Sequence, residues 1–344
     1  MDYSHAVAHL YALGHELARA HLGKFDLAHM RVLAEALGDP QKRFPSVLIA
    51  GTNGKGSTAA TLASILRAAG HRTGLYTSPH LVRINERIRI DGQAISDSDF
   101  ADIYNHVDAI ANALVERGAL PWHPSFFEAV TAIALEYFAR AGVEIAVLEV
   151  GMGGRLDATN IVEPLISVIT DISLDHQKYL GNTIAEIAAE KAGIIPENGT
   201  AVLLPQHPQA NDVLGRAVVE RKARAVSATS YMPPVTPRSD ENTAAGEAVY
   251  TVHALGRDIE IQPPLRGRHQ LRNTALAIAA TVELNASGIG VGAGDIERGV
   301  RETHWPGRLQ VIPGEPNSSL TSPTIPTERG PCDRPCRTCT RSGG

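Results

Sequence analysis

Cysteine is absent from the first 331 of the 344 residues, and the three present (Cys332, Cys336 and Cys339) fall within the last 13. No disulfide framework can therefore hold the body together, and stability must come from a packed core, which a chain of this length can build. No stretch approaches the ~20 uninterrupted apolar residues of a membrane span, so no membrane partner is expected. Asp2, Glu16 and histidines at positions 5, 9 and 15 replace the basic start and apolar run of a signal peptide, and a cytoplasmic location is expected. Positive charge is not in excess either. The formal net charge of −5 offers no electrostatic reason to expect nucleic acid or an anionic surface as partner. Aromatic residues are sparse at 5%, while 43% hydrophobic and 20% charged residues are ordinary for a globular chain.

What is present is organised around one stretch. Val47 to Ala50 reads as a buried parallel strand. Gly51-Thr52-Asn53-Gly54-Lys55-Gly56-Ser57 then turns into an apolar-periodic helix carrying Leu62, Ile65 and Leu66 and stopping at Gly70. A strand, a glycine-rich turn with a lysine and a helix N-terminus make a phosphate cradle, because the freed backbone N–H groups and the helix dipole both favour an anion. Lys55 would reach the terminal phosphates, and a hydroxyl such as Ser57 would sit near Mg²⁺. The strict Walker pattern has Ser or Thr directly after the lysine, whereas Gly56 intervenes here. An ordinary βα turn is the plainer alternative.

Along the chain, residues 3–38 predict two helices around a break at 23–26. Gly74 to Thr77 predicts a strand, and Arg83 to Ile90 an alternating one before an Asp91-Gly92 hairpin turn. Capping signatures at Ser96/Asp99, Ser125/Glu128 and Thr183/Glu186 open three helices. Val143 to Val150, Leu165 to Thr170 and Thr200 to Leu204 are buried strands, and residues 227–263 an irregular β excursion. His269 to Leu284 predicts a helix, and a last one ends at Trp305-Pro306. Strands alternating with helices argue an α/β fold, a doubly wound, mostly parallel sheet whose ligands bind at the carboxyl ends of the strands.

Polar residues at those ends are the candidates for chemistry. Glu149 closes an otherwise apolar strand, where a carboxylate must be paired, coordinated or facing a crevice. Asp175-His176 follows the next strand, and an isolated histidine is more often structural than a ligand. Lys191 shares one helix face with Ile184, Ile187 and Ala188. It either snorkels or carries a depressed pKa, and a neutral amine can take up CO₂ as a carbamate. Glu128 is explained by its capping box alone.

Gly51 to Ser57, Ser78 to Leu81, Glu149 to Asn160, Asp175-His176 and Glu190 to Gly193 occur together in an order that resembles the folylpolyglutamate synthase/dihydrofolate synthase family of the Mur ligase superfamily. The resemblance covers about residues 3–312, and its P-loop with an extra glycine is the family's own form. It implies ATP-dependent ligation of L-glutamate to dihydropteroate, or to the glutamate tail of a folate, through an acyl phosphate. It also implies a P-loop-type central domain, Mg²⁺, and a monomer. Carried over residue by residue, it casts Lys55, Lys191 (as a CO₂-derived carbamate) and His176 as catalytic. Thr52, Asn53, Gly54, Lys55, Gly56, Ser57, Asn273 and Arg308 match ATP contacts. Ser57, Ser78, Glu149 and His176 match metal positions. Asp26, Leu27, Ala28, His29, Ser125, Phe126, Phe127, Glu128, Leu156, Asp157 and Ala158 fall where the pterin is held.

From Pro313 the pattern breaks. The last 32 residues hold six Pro, four Gly, nine Ser or Thr and no aromatic residue, a composition that cannot bury a core and predicts disorder. The family continues with a Rossmann-like domain, for which no motif follows here. An out-of-frame or truncated tail without that domain is the expectation, and the nucleotide sequence downstream of codon 317 tests it. Three clustered cysteines could be zinc thiolates, but no fourth ligand stands at the usual spacing. An ATP- or folate-binding remnant without turnover and another P-loop kinase or hydrolase are the alternative functions.

Overall fold

The computed structural model describes residues 1–14, 27–234, 248–308, 310–312 and 318–320. Helices α1 (Tyr3–Ala12) and α2 (Leu27–Ala36) lead to β1 (Ser46–Ala50), α3 (Lys55–Ala68) and β2 (Thr73–Tyr76). Next come β3 (Ile88–Ile90), β4 (Gln93–Ala94), α4 (Asp97–Glu116), α5 (Phe126–Ala141), β5 (Ile145–Glu149) and β6 (Ile166–Ile169). Then follow α6 (Gln177–Leu180), α7 (Ile184–Ala192), β7 (Thr200–Leu203), α8 (Pro208–Glu220) and β8 (Arg224–Ser227). The chain continues through the hairpin β9 (Tyr250–Ala254) and β10 (Arg257–Ile261), α9 (Arg268–Ala286), α10 (Ala293–Arg301), β11 (Gln310–Ile312) and β12 (Ser318–Leu320).

Eight strands form one sheet in the order β4-β3-β2-β5-β1-β6-β7-β8. Along the run β2-β5-β1-β6-β7-β8 every pairing is parallel, and at the other edge β3 pairs antiparallel with both β2 and β4. Successive residues of β1 enter opposite cores. Leu48 and Ala50 pack with α1, α2, α4, α5, α7 and α8, while Val47 and Ile49 pack with α3, α9, α10 and the β9–β10 hairpin. This alternation explains why the strand reads as an unbroken apolar run. The doubly wound architecture read from the sequence is the one observed.

The capping signatures are the most faithful local signals. Ser125 and Thr183 each accept from the third backbone N–H of their helix while Glu128 and Glu186 reach back to the cap, and Ser96 accepts from Asp99. Each such cap contributes about 1 kcal/mol.

The differences have local causes. Ile84 to Arg87 is a 3₁₀ turn rather than strand, because the Glu86 carboxylate gathers the backbone amides of Leu81, Val82 and Arg83 at 2.7–3.1 Å. Helix α10 ends at Arg301 rather than Trp305: Thr303 turns its hydroxyl back to the Gly299 carbonyl at 3.0 Å, and Pro306 disfavours helical backbone at the residue before it. Helix α8 and strand β8 were not anticipated. Strand β8 is an edge strand with hardly a buried side chain, so it carries no apolar alternation. In the tail expected to lack structure, β12 pairs antiparallel with β11, since a ladder of backbone groups needs no apolar side chains. The remaining tail, with its cysteines, and Asp26 lie outside the described residues, as do residues 235–247 of the β excursion.

Candidate active site

The glycine-rich turn leaves β1 between β5 and β6, and two of its glycines are required by close neighbours, with a third in a tight place. A Cβ on Gly51 would come within 1.8 Å of the Thr170 hydroxyl, and one on Gly54, at φ +87°, within 2.1 Å of Asn273 Oδ1. Gly56, the residue that breaks the strict Walker pattern, lies under both the Trp305 ring and Glu149, 3.2 and 3.3 Å from where its Cβ would stand. The extra glycine makes room for an indole and a carboxylate against the start of α3.

Two loops are laced together here. The Thr52 and Asn53 amides donate to the Asp171 carbonyl at 2.8 and 3.1 Å, and the Thr52 hydroxyl donates to the Ser173 carbonyl at 3.1 Å. The amides left to face an anion are those of the first turn of α3, capped by Gly54 without a side-chain partner. Within that turn, the Ser57 hydroxyl is buried and has no hydrogen-bond partner among the described residues. Such a group costs about 1–3 kcal/mol until something satisfies it.

Both lysines reach the same carbonyl. Lys55 Nζ donates to Gly51 O at 3.1 Å and Lys191 Nζ donates to it at 2.8 Å. Lys191 is 2% exposed. Burial and then repulsion from Lys55 pull its amine from 10.5 down to about 7, against the attraction of Asp175 and Asp157. Of the two sequence alternatives, snorkelling and a depressed pKa, the structure selects the second.

Glu149 is buried at the end of β5, and one of its oxygens accepts the Ser78 amide at 3.1 Å. Burial raises its pKa, opposed by Lys55, the Ser78 amide, Arg308 and Arg87. Ser78 precedes a cis proline, Pro79. Ser57, Ser78, Glu149, Lys55, Lys191, Asn273 and Arg308 thus gather about one turn. His176 stands differently. It is exposed at the start of α6, with φ +44°, and its Nε2 is 3.6 Å from Asp175. Among the described residues no three His, Cys, Asp or Glu side chains group as a metal site by themselves.

The segments expected to hold a pterin converge separately. His29 hydrogen-bonds Glu128 at 3.0 Å and the Trp122 carbonyl at 2.9 Å, and stacks on Trp122. Burial opposes the Glu128 charge, but hydrogen bonds from His29 and Ser125 outweigh it and hold the carboxyl below its usual range. Phe127 packs on Gly151, where a Cβ would meet its ring at 2.5 Å. Asp157 is buried and accepts from Met152 N and from Thr159, with burial raising its pKa. Leu27 and Ala158 are buried, Phe126 lies in the core, Ala28 is exposed and Leu156 is half-buried.

Three features escaped the sequence. Arg87 is buried, with its guanidinium 5.3 Å over the Phe126 ring and its Nε 2.8 Å from His80 Nδ1. Arg272 clasps Asp171 through contacts of 2.6–3.0 Å, bracing the loop that holds Thr52. Trp305 covers Gly56. Arg87 falls on the opposite phase from Ile84, Ile88 and Ile90, so the alternation held no signal of its burial.

Comparison with known proteins agrees with this arrangement. The Mur ligase middle domain model matches residues 123–281. A probable bifunctional folylpolyglutamate synthase/dihydropteroate synthase of Haloferax volcanii is 39% identical over 93% of this chain, which spans 37% of that protein. The dihydrofolate synthase/folylpolyglutamate synthase of Bacillus subtilis is 38% identical over 84% of this chain and 67% of its own length. A solved FPGS–AMPPCP–folate complex superimposes with a TM-score of 0.86 at 33% identity, covering 95% of this chain and 78% of that one. No helix among the described residues is long and apolar enough to cross a membrane.

Proposed function

The chain belongs to the folylpolyglutamate synthase/dihydrofolate synthase family of Mur ligases, and from that premise we propose that residues 1–312 are the ATP-binding part of an ATP-dependent glutamate ligase. The γ-phosphoryl group of ATP passes to the carboxylate of dihydropteroate or of a folate's glutamate tail, releasing ADP. The amine of L-glutamate then attacks the acyl carbon and phosphate leaves. The observation that carries this reading is the convergence of Lys55 and Lys191 on the Gly51 carbonyl beside a buried Glu149.

In this reading the amides of Gly54 to Ser57 and the Lys55 ammonium cradle the phosphates, with Thr52 and Asn53 holding the turn in shape. Asn273 and Arg308 border the nucleotide. Mg²⁺, when bound, neutralises charge on the transferring phosphoryl group. Ser57, Ser78 and Glu149 offer the oxygen donors such a hard cation prefers, and the unpartnered Ser57 hydroxyl is a group that a ligand would satisfy. His176 is a further donor by family pattern. A Lys191 amine neutral near pH 7 can bond through its lone pair to the carbon of CO₂ and lose a proton, giving a carbamate. That reaction replaces a buried neutral amine with an anion. Leu27, His29, Phe127, Glu128, Asp157 and Ala158 wall the pterin subsite. A monomer in the cytoplasm completes the proposal.

The test is to incubate the purified chain with ATP, L-glutamate and either dihydropteroate or tetrahydrofolate, measuring glutamylated product by mass spectrometry alongside phosphate. Product and phosphate that both require the pterin carboxylate are expected. Phosphate released without an acceptor would favour a kinase or hydrolase, and nucleotide binding without turnover a binding remnant.

A further inference from the structure

A cavity of about 190 Å³ lies between α3, the β3–β4 hairpin and the segment after α10. Ala60, Ala63 and Leu75 line it with apolar surface, and Arg67 and Arg89 bring positive charge. Asp91 and Glu302 are the carboxylates facing it. Glu302 makes a long ion pair with Arg67, at 3.9 Å, and Asp91 is engaged by the backbone, accepting the Thr73 amide at 2.8 Å. Arg89 donates through Nε to the Glu86 carbonyl at 3.1 Å, and its guanidinium lies 5.5 Å over the Trp305 ring. Among the described residues no carboxylate is within ion-pair distance of it. Burial pulls its pKa below the usual guanidinium value, against the attraction of Glu86. Ser64, also in the lining, has a buried hydroxyl without a partner. Apolar walls, a planar guanidinium fork and a spare hydroxyl suit a small oxyanion.

Trp305 is the wall shared with the nucleotide cradle, since its ring also covers Gly56. We propose that this cavity binds a small anion bearing carboxylate or phosphate oxygens, and that its occupancy alters nucleotide affinity through Trp305. The anion meets the Arg89 and Arg67 guanidiniums, and drawing Arg89 off the indole frees the ring to shift against the first turn of α3. This site is separate from the cradle, and its binding stands or falls independently of the ligase reading.

The full chain carrying Trp122→Phe leaves Trp305 as its sole tryptophan. Titration with glutarate, and separately with inorganic phosphate, at constant ionic strength should give a saturable change in Trp305 emission. Arg89→Gln should weaken it at least tenfold, and Lys55→Met should leave it in place. The anion that saturates at the lower concentration identifies the source of the oxygens. A loaded cavity should also shift the dissociation constant of a non-hydrolysable ATP analogue at least threefold. Should Arg89→Gln lower the thermal midpoint, Ala63→Leu, which fills the cavity and keeps both arginines, should abolish the response instead. No saturable change with either anion, a response that survives both variants, or one lost with Lys55→Met would overturn the site. An unchanged analogue affinity would overturn the coupling.

Discussion

The Gly51–Ser57 cradle and the α2–α5 junction use similar residue types and satisfy them in opposite ways. At the junction, His29, Ser125 and Glu128 all find hydrogen-bond partners within the protein, and Glu128 keeps its carboxyl below the usual range. The neighbouring Asp157 is hydrogen-bonded as well, although burial raises its pKa. At the cradle the Ser57 and Thr58 hydroxyls are buried without partners, and the buried Glu149 and Lys191 both have pKa values displaced against their charged forms. A region that satisfies itself is structurally complete without ligand. One that holds strained charges and orphaned hydroxyls is arranged for something charged to arrive, which is the usual sign of a reacting centre.

The sharpest way to break this contrast is Lys191→Met. Ligase turnover should fall by about 10²–10³-fold, while the thermal midpoint at pH 6, where the native amine is charged and buried, should hold or rise. A midpoint that collapses at pH 6 would mean that Lys191 is structural. Next in size, Ser57→Ala should weaken Mg²⁺-nucleotide binding on the order of tenfold with little change in denaturant midpoint, because no hydrogen bond within the protein is lost.

Linkage gives a third test. The Lys191 amine loses its proton near pH 7 when folded and at 10.5 when unfolded. Between these values the unfolded chain binds the extra proton, so this group makes stability rise with pH across the window. The slope is at most about 1.4 kcal/mol per pH unit. Lys191→Met should flatten that rise in urea titrations between pH 7 and 10, and an unchanged slope would remove the depressed amine from the account. Smallest, Ser125→Ala should cost about 1 kcal/mol of stability and leave nucleotide affinity alone, the reverse of Ser57→Ala. If both serine variants behaved alike, the distinction between the two regions would fail.

Much of this contrast was legible before any coordinates. Ser125 and Glu128 declare a capping box by spacing alone, and the structure adds to Glu128 only its bond to His29. Lys191 on an apolar stripe announced a choice between snorkelling and neutrality, which its burial resolves. Arg87 and the Arg272–Asp171 clasp were invisible because their partners lie far away in sequence or on other elements. Helix α8 and strand β8 escaped because an exposed edge strand carries no period-two apolar signal. The 3₁₀ turn at Ile84 to Arg87 escaped because one carboxylate, Glu86, overrode an alternation that suits a strand.

By itself, the sequence determined the strand–turn–helix at Gly51 to Ser57, the alternation of strands and helices and the helix starts. Each depends on residues within a few positions of one another, where backbone sterics and local hydrogen bonds decide. Only the tertiary structure decided that Trp305 and Glu149 stand tight against Gly56, that two lysines share the Gly51 carbonyl, and that the Ser57 hydroxyl is left without a partner among the described residues. Those outcomes depend on desolvation and on distances between segments far apart in the chain, and neither quantity exists until the sheet has brought the ends of β1, β5 and β6 side by side.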